Sequence, residues 1–178
     1  MTPRLQVVPG TVEDVPAMLQ VLDAAVRWLV EQGNTGQWGA EPISVNPKAV
    51  AANERWAASG GVYLARVDRN VVAALVVGSA PAYVPAATEP ELYINLLVTD
   101  HSPSARGAGR HLLDHARAVA RERGVTQIRV DCYAGHGGGL VRYYERQGFT
   151  ATDSFSVDQV NGPWAGQVLR QRLETDRS

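Results

Sequence analysis

Residues 92–123 place an apolar strand pattern, a glycine-rich turn and an amphipathic helix pattern in direct succession, and this order limits the fold more than any other stretch does. The strand is Leu92-Tyr93-Ile94-Asn95-Leu96-Leu97-Val98, and the turn is Pro103-Ser104-Ala105-Arg106-Gly107-Ala108-Gly109-Arg110. The helix pattern runs from Arg110 to Arg123, with Leu112, Ala116, Val119 and Ala120 on its apolar side. Strand, turn and helix in this order aim main-chain N–H groups at a point ahead of the helix. The first amides of a helix have no partner within it and carry partial positive charge, so an anion is favoured there. Gly107 and Gly109 have no Cβ, which lets main chain approach a ligand closely.

Two phosphate-binding loops are excluded. A P-loop needs a lysine after its second glycine, and the only lysine of the chain is Lys48. A dinucleotide fingerprint needs a third glycine, and Leu112 stands in its place. An Arg-Gly-x-Gly loop remains.

The rest of the chain supplies a single α/β domain, expected over residues 1–178. Apolar residues make up 45%, charged residues 20%, and the net charge is −1, which gives no reason to expect nucleic acid or an anionic membrane as partner. No stretch approaches the roughly 20 apolar residues of a membrane span. Cys132 is the only cysteine, so no internal disulfide can form. With no apolar leader at Met1 to Leu5, a reducing, cytoplasmic location is expected.

Residues 5–8 read as a first strand. Thr11 and Asp14 resemble a capping box, and Val15, Met18, Leu19, Leu22, Ala25, Val26 and Leu29 follow at helical spacing to an end near Gly33. Trp38 lies in the next loop, where an exposed tryptophan can line a ligand pocket. Asn46-Pro47 opens a second helix that ends at Gly60-Gly61. Residues 62–67 and 71–77 form a hairpin around Asp68-Arg69-Asn70. The Pro- and Ala-rich segment 78–90 carries Tyr83 and is expected to form a wall beside the strand that begins at Glu91. Residues 127–133 alternate as a strand with Ile128, Val130 and Cys132 on one face, which makes Cys132 a small core residue. A flexible Gly135–Gly139 loop leads into a short helix over residues 140–147, capped by Gly148. Residues 149–157 and 167–173 read as the last two strands, joined through Asn161-Gly162-Pro163-Trp164. His111 and His115 are one turn apart, but Leu112 fills the place of the glutamate in His-Glu-x-x-His, so they read as solvent-exposed and no metal is expected.

The Arg106-Gly107-Ala108-Gly109 loop resembles that of the GNAT superfamily of acyl-CoA-dependent N-acetyltransferases, with Ser104 where the longer pattern has Gln or Arg. Tyr144-Glu145-Arg146-Gln147-Gly148-Phe149 resembles the family's Tyr-Glu-x-x-Gly-Phe. Asp131-Cys132-Tyr133-Ala134 and Leu140-x-x-Tyr143-Tyr144 look like a bacterial subgroup. The element order also matches. The resemblance implies one mixed, mostly antiparallel sheet of about seven strands flanked by helices on both faces. It implies acetyl-CoA as co-substrate, its phosphates held at Arg106, Gly107, Ala108, Gly109 and Arg110, and its pantetheine arm along the main chain of Leu96, Leu97 and Val98, with the Leu96 amide polarising the thioester. Glycines 137–139 replace a polar pantetheine contact that many members have.

Acetyl transfer to an amine also needs proton movements. Tyr144 is the candidate acid, since a phenol is protonated at neutral pH and can donate to a thiolate of similar basicity. Tyr143 lies about 100° round the helix, which leaves it to the core or a substrate wall. Glu91 is the first candidate base, because family bases are often carboxylates on this strand; Asn95 shares the strand, Asp100-His101 lies just beyond it, and a water chain could do the same work. Trp38, Tyr83 and Asn95 are candidate acceptor contacts, with Trp164 in the last hairpin. Such aromatic walls suit an apolar or cationic amine. The expected function is N-acetylation of a small-molecule or peptide amine in a ternary complex. The alternatives are a non-catalytic acyl-CoA sensor and a purely structural domain. A homodimer is compatible with the sequence, though no stretch encodes one.

Overall fold

A computed structural model describes residues 4–160 and 162–174. Asn161, part of the expected last turn, lies outside the described residues. Among the described residues, seven strands and four α-helices follow one another: β1 (Leu5–Pro9), α1 (Val15–Glu31), α2 (Pro47–Ser59), β2 (Val62–Val67), β3 (Asn70–Gly78), β4 (Glu91–Thr99), α3 (Ala108–Glu122), β5 (Gln127–Tyr133), α4 (Gly139–Arg146), β6 (Thr150–Gln159) and β7 (Gly162–Arg172). The sheet is mixed and not closed, with strand order β1-β2-β3-β4-β5-β7-β6. β4 and β5 pair in parallel, whereas β1–β2, β2–β3, β5–β7 and β6–β7 pair antiparallel.

The chain divides into two compact units, residues 1–77 with 96–115 and residues 78–95 with 116–178. In the first, the spacing of α1 puts Val15, Met18, Val21, Leu22 and Ala25 into a core shared with Val62, Leu64, Ala74, Val76 and Val98. The helix begins later than Thr11. A 3-10 turn at Val12–Asp14 precedes it, and the Asp14 carboxylate accepts from the Thr11 amide at 2.8 Å and from Arg66 at 2.9 Å. Asn46 caps α2 by accepting from the Lys48 and Ala49 amides.

In the second unit, Glu91–Ile94 pair with Gln127–Val130, and that ladder stops at Ile94 and Val130. β5 continues against β7 as far as Tyr133↔Gly166. β7 starts at Gly162, well ahead of the expected Gln167, because residues 162–166 pair with β6. The Gly135–Gly139 loop is replaced by a 3-10 turn at His136–Gly138 that runs into α4.

Candidate functional site

In the first unit, β4 ends at Thr99 and the chain is turned by its own side chains. The Asp100 carboxylate accepts from the Ser102 amide at 2.8 Å, and a 3-10 turn at Pro103–Ala105 follows. Arg106 donates its amide to the Pro103 carbonyl at 3.3 Å. Gly107 then takes φ +81°, a left-handed conformation that residues with a Cβ rarely adopt, and a Cβ there would meet only His111 Nδ1, at 4.0 Å. The first helical bond of α3 runs from the His111 amide to the Gly107 carbonyl at 3.1 Å. The amides of Ala108, Gly109 and Arg110 therefore precede the helical ladder and point off its end. Arg106, Gly107 and Arg110 are exposed, while Ala108 is fully buried. Successive amides at a helix N-terminus, an open left-handed glycine and two exposed guanidinium groups together fit a pyrophosphate.

On β4, Leu96 packs against the first unit's core and Val98 is part of it. Leu97 is half-buried. The side chains of Leu96 and Val98 are thus spent on packing, so any contact they make with a ligand would come from main chain. Trp38 also packs against that core, half-buried. His111 is exposed and its Nδ1 lies 2.9 Å from the Gly107 carbonyl, whereas His115 is half-buried against the Tyr63 ring, centroids 4.3 Å apart, not solvent-exposed as expected. Among the described residues, no group of three or more His, Cys, Asp or Glu could hold a metal ion. No described helix is long and apolar enough to cross a membrane.

In the second unit, polar side chains of β4 and β5 meet. Glu91 accepts from Arg129 at both oxygens, Nε to Oε2 at 2.5 Å and Nη2 to Oε1 at 2.8 Å, and from Gln127 at 3.3 Å. Arg129 also donates Nη1 to the Pro85 carbonyl at 2.8 Å and lies over the Tyr93 ring, 5.6 Å from its centroid. Tyr93, fully buried, donates its hydroxyl to Asp131 Oδ1. Tyr83 donates to Oδ2 over 3.5 Å. Burial raises the Asp131 carboxyl above the ordinary carboxylate range, and burial beside Asp131 pushes the Tyr83 hydroxyl up to about 12. Asn95 donates to the Ser79 carbonyl at 2.9 Å and so ties β4 to the segment that carries Tyr83.

Tyr144 is 4% exposed and packs edge-on against Phe149 and Tyr143, with centroids 5.6 and 5.4 Å away. Burial, then the neighbouring Cys132, Tyr143 and Asp131, hold its hydroxyl far above the usual phenol range, so it stays protonated at any physiological pH. Cys132 is buried and its thiol is pushed up to about 12, first by burial and then by Asp131.

Residues 25–149 match the Acetyltransferase (GNAT) family. The chain belongs to that family. A search of curated proteins gave no significant match. Among solved structures, a GNAT acetyltransferase from Listeria monocytogenes superposes with a TM-score of 0.70 at 20% identity, over 95% of each chain. The ribosomal-protein alanine N-acetyltransferase of Escherichia coli gives 0.66 at 15% identity, over 98% of this chain and 99% of that one. A Salmonella typhimurium protein solved with its cofactor acetyl-CoA gives 0.67 at 16% identity, over 98% and 97%. These likenesses establish the GNAT fold. Members of this family act on small-molecule or protein amines.

The structure gathers Glu91, Tyr83 and Asn95 in the second unit with three residues that no sequence motif marks as site residues: Tyr93, Arg129 and Asp131. One signal was available. Arg129 and Asp131 alternate with Ile128, Val130 and Cys132, so two opposite charges and the Tyr133 ring share one face of a strand.

Proposed function

We propose that this GNAT protein, as one domain, moves an acetyl group from acetyl-CoA to a primary amine by direct attack in a ternary complex. The observation that carries the reading is the α3 N-terminus, where the amides of Ala108, Gly109 and Arg110 lie ahead of the helical ladder behind an open left-handed Gly107. Arg106 and Arg110 complete that anion site, and the main chain of Leu96, Leu97 and Val98 serves the pantetheine arm, which resembles an extended peptide. The Leu96 amide is the donor assigned to the thioester oxygen.

In the reaction the amine nitrogen forms a bond to the thioester carbon, the C–S bond breaks, and the thiolate takes a proton. Tyr144 is the proposed donor, since burial keeps its hydroxyl protonated at every physiological pH and the proton is in place when the thiolate forms. Glu91 was the expected base. Its two oxygens are already used by Arg129 and Gln127, so in this reading it anchors Arg129 and the acceptor's surplus proton leaves to solvent. The burial of Tyr144 also supports the alternative, a non-catalytic acyl-CoA sensor. Thiol release from acetyl-CoA over a panel of amines separates the two: release with any amine establishes transfer, and cofactor binding without release on any amine favours the sensor.

A further inference from the structure

Among the described residues, the second unit holds a half-buried carboxylate with no cation beside it. Glu91 and Arg129 neutralise each other through two short bonds. Asp131, two residues along the same face of β5, is held by the hydroxyls of Tyr93 and Tyr83 and by no cation among the described residues. A half-buried carboxylate whose donors are two hydroxyls and its own main-chain amide, with no cation, is poorly compensated. Its Oδ1 bond comes from a fully buried tyrosine. Its Oδ2 bond is long and comes from Tyr83, which is 53% exposed and sits on a segment outside the strands.

A run of aromatic rings starts from Tyr83. Tyr83 packs on Phe155 at 5.3 Å between centroids, Phe155 on Trp164 at 6.1 Å, and Trp164 on Tyr133 at 5.6 Å. Tyr133 lies two residues along the same face of β5 from Asp131, so the run of rings returns to the strand that carries the carboxylate. The rings lie close against main chain. A Cβ on Gly166 would come within 2.2 Å of the Phe155 ring, and one on Gly135 within 2.2 Å of the Tyr133 ring. Only glycine at those two positions permits this arrangement.

We propose that Asp131 binds the acceptor as its ammonium ion, the ammonium replacing the Tyr83 hydroxyl as donor to Oδ2, and that the Tyr83, Phe155, Trp164 and Tyr133 rings hold an apolar or aromatic body behind that ammonium. The acceptor class is therefore arylalkyl or apolar monoamines. A carboxylate supplies the charge-assisted bond, and ring faces attract the cation as it approaches. This inference rests on the acetyltransferase reading and names its acceptor.

Calorimetry on the full chain separates the two. CoA, which cannot donate acetyl, is titrated first into wild type and Asp131→Asn. Equal binding is expected, and absence of CoA binding to wild type would overturn the acetyltransferase reading and this inference with it. 2-Phenylethylamine is then titrated into the CoA-loaded proteins. We expect binding to wild type, weakening of about 10- to 100-fold in Asp131→Asn, and no competition from 2-phenylethanol, which has the same body without the ammonium. With acetyl-CoA, the amine KM should rise by a similar factor in that variant while the acetyl-CoA KM stays constant. Phe155→Leu, on the largely exposed β6, tests the wall without touching the carboxylate and should weaken the amine several-fold. The inference is overturned if 2-phenylethylamine fails to bind CoA-loaded wild type, if it binds wild type and Asp131→Asn equally, or if 2-phenylethanol binds as well as the amine.

Discussion

Arg129 grips Glu91 with two parallel bonds of 2.5 and 2.8 Å, and with its third nitrogen it holds the Pro85 carbonyl at 2.8 Å. Both side chains are nearly enclosed, at 6% and 11% exposure. One guanidinium therefore joins β5, β4 and the segment that carries Tyr83. Removing one member of such a pair strands the other's charge, which costs about 3–5 kcal/mol. Glu91→Gln should lower the midpoint of thermal unfolding by roughly 6–20 °C at this chain length. A Glu91→Gln protein with unchanged Tm and abolished turnover would return Glu91 to the role of base.

Tyr144→Phe removes a hydroxyl and keeps the edge-on packing against Phe149. Because that hydroxyl is protonated throughout the physiological range, it gives no limb in a pH–rate profile of wild type. The expected result is a fall in kcat of about 100-fold or more, the usual worth of a positioned general acid, with acetyl-CoA affinity unchanged. Stopped-flow thiol release measures the first quantity and calorimetry the second. Equal turnover of the two proteins would take Tyr144 out of the mechanism.

What could be read from the sequence followed the range of the interactions. α1 was legible because its apolar residues repeat at 3.6, and β2–β3 because two strand patterns flank a tight turn. The Thr11–Asp14 capping box was legible because it is local, and it opens a 3-10 turn at Val12–Asp14 that runs straight into α1. β7 was cut short because Gly162 and Pro163 look like turn residues until β6 supplies their partners. The Arg106–Arg110 motif could be found, since a glycine at φ +81° ahead of a helix leaves a local pattern. The surroundings of Asp131 could not be found, because its partners Tyr93 and Tyr83 come from 38 and 48 residues away.

Gly107→Ala tests the loop directly. The added methyl meets nothing closer than His111 Nδ1 at 4.0 Å, so the cost is conformational strain at φ +81°, about 1–2 kcal/mol. Relief of that strain would rotate the peptide entering α3 and misaim its first amides. Acetyl-CoA affinity should fall about tenfold, with the change in Tm held to a few degrees. Unchanged affinity at the lowered Tm would show that the amides of Ala108, Gly109 and Arg110 do not hold the cofactor.

Cys132 should be chemically silent. With its thiol pushed up to about 12, roughly one molecule in ten thousand carries the thiolate at pH 8. A chromogenic disulfide should react with native protein only as fast as the chain opens, and at once in denaturant. Rapid labelling of the native state would mean that the interior of the second unit is open to solvent.

His101 lies flat on Trp28 of α1, ring centroids 3.7 Å apart and planes within 1°, at the turn that leads from β4 to the Arg106–Arg110 loop. Two effects compete there. Burial disfavours the imidazolium and lowers its pKa below 6.5, whereas the nearby Asp100 raises it, and burial is the larger. The neutral ring is thus the form the fold prefers. Its stabilising contribution is complete above pH 6.5 and is lost as pH falls from there through the folded-state value. NMR titration of the His101 ring should give a midpoint below 6.5, and Trp28→Leu should raise it by uncovering the ring. A drop in the midpoint in that variant would mean that attraction between the imidazolium and the indole face outweighs desolvation. The stack would then hold the approach to the loop more tightly in acid than at neutral pH.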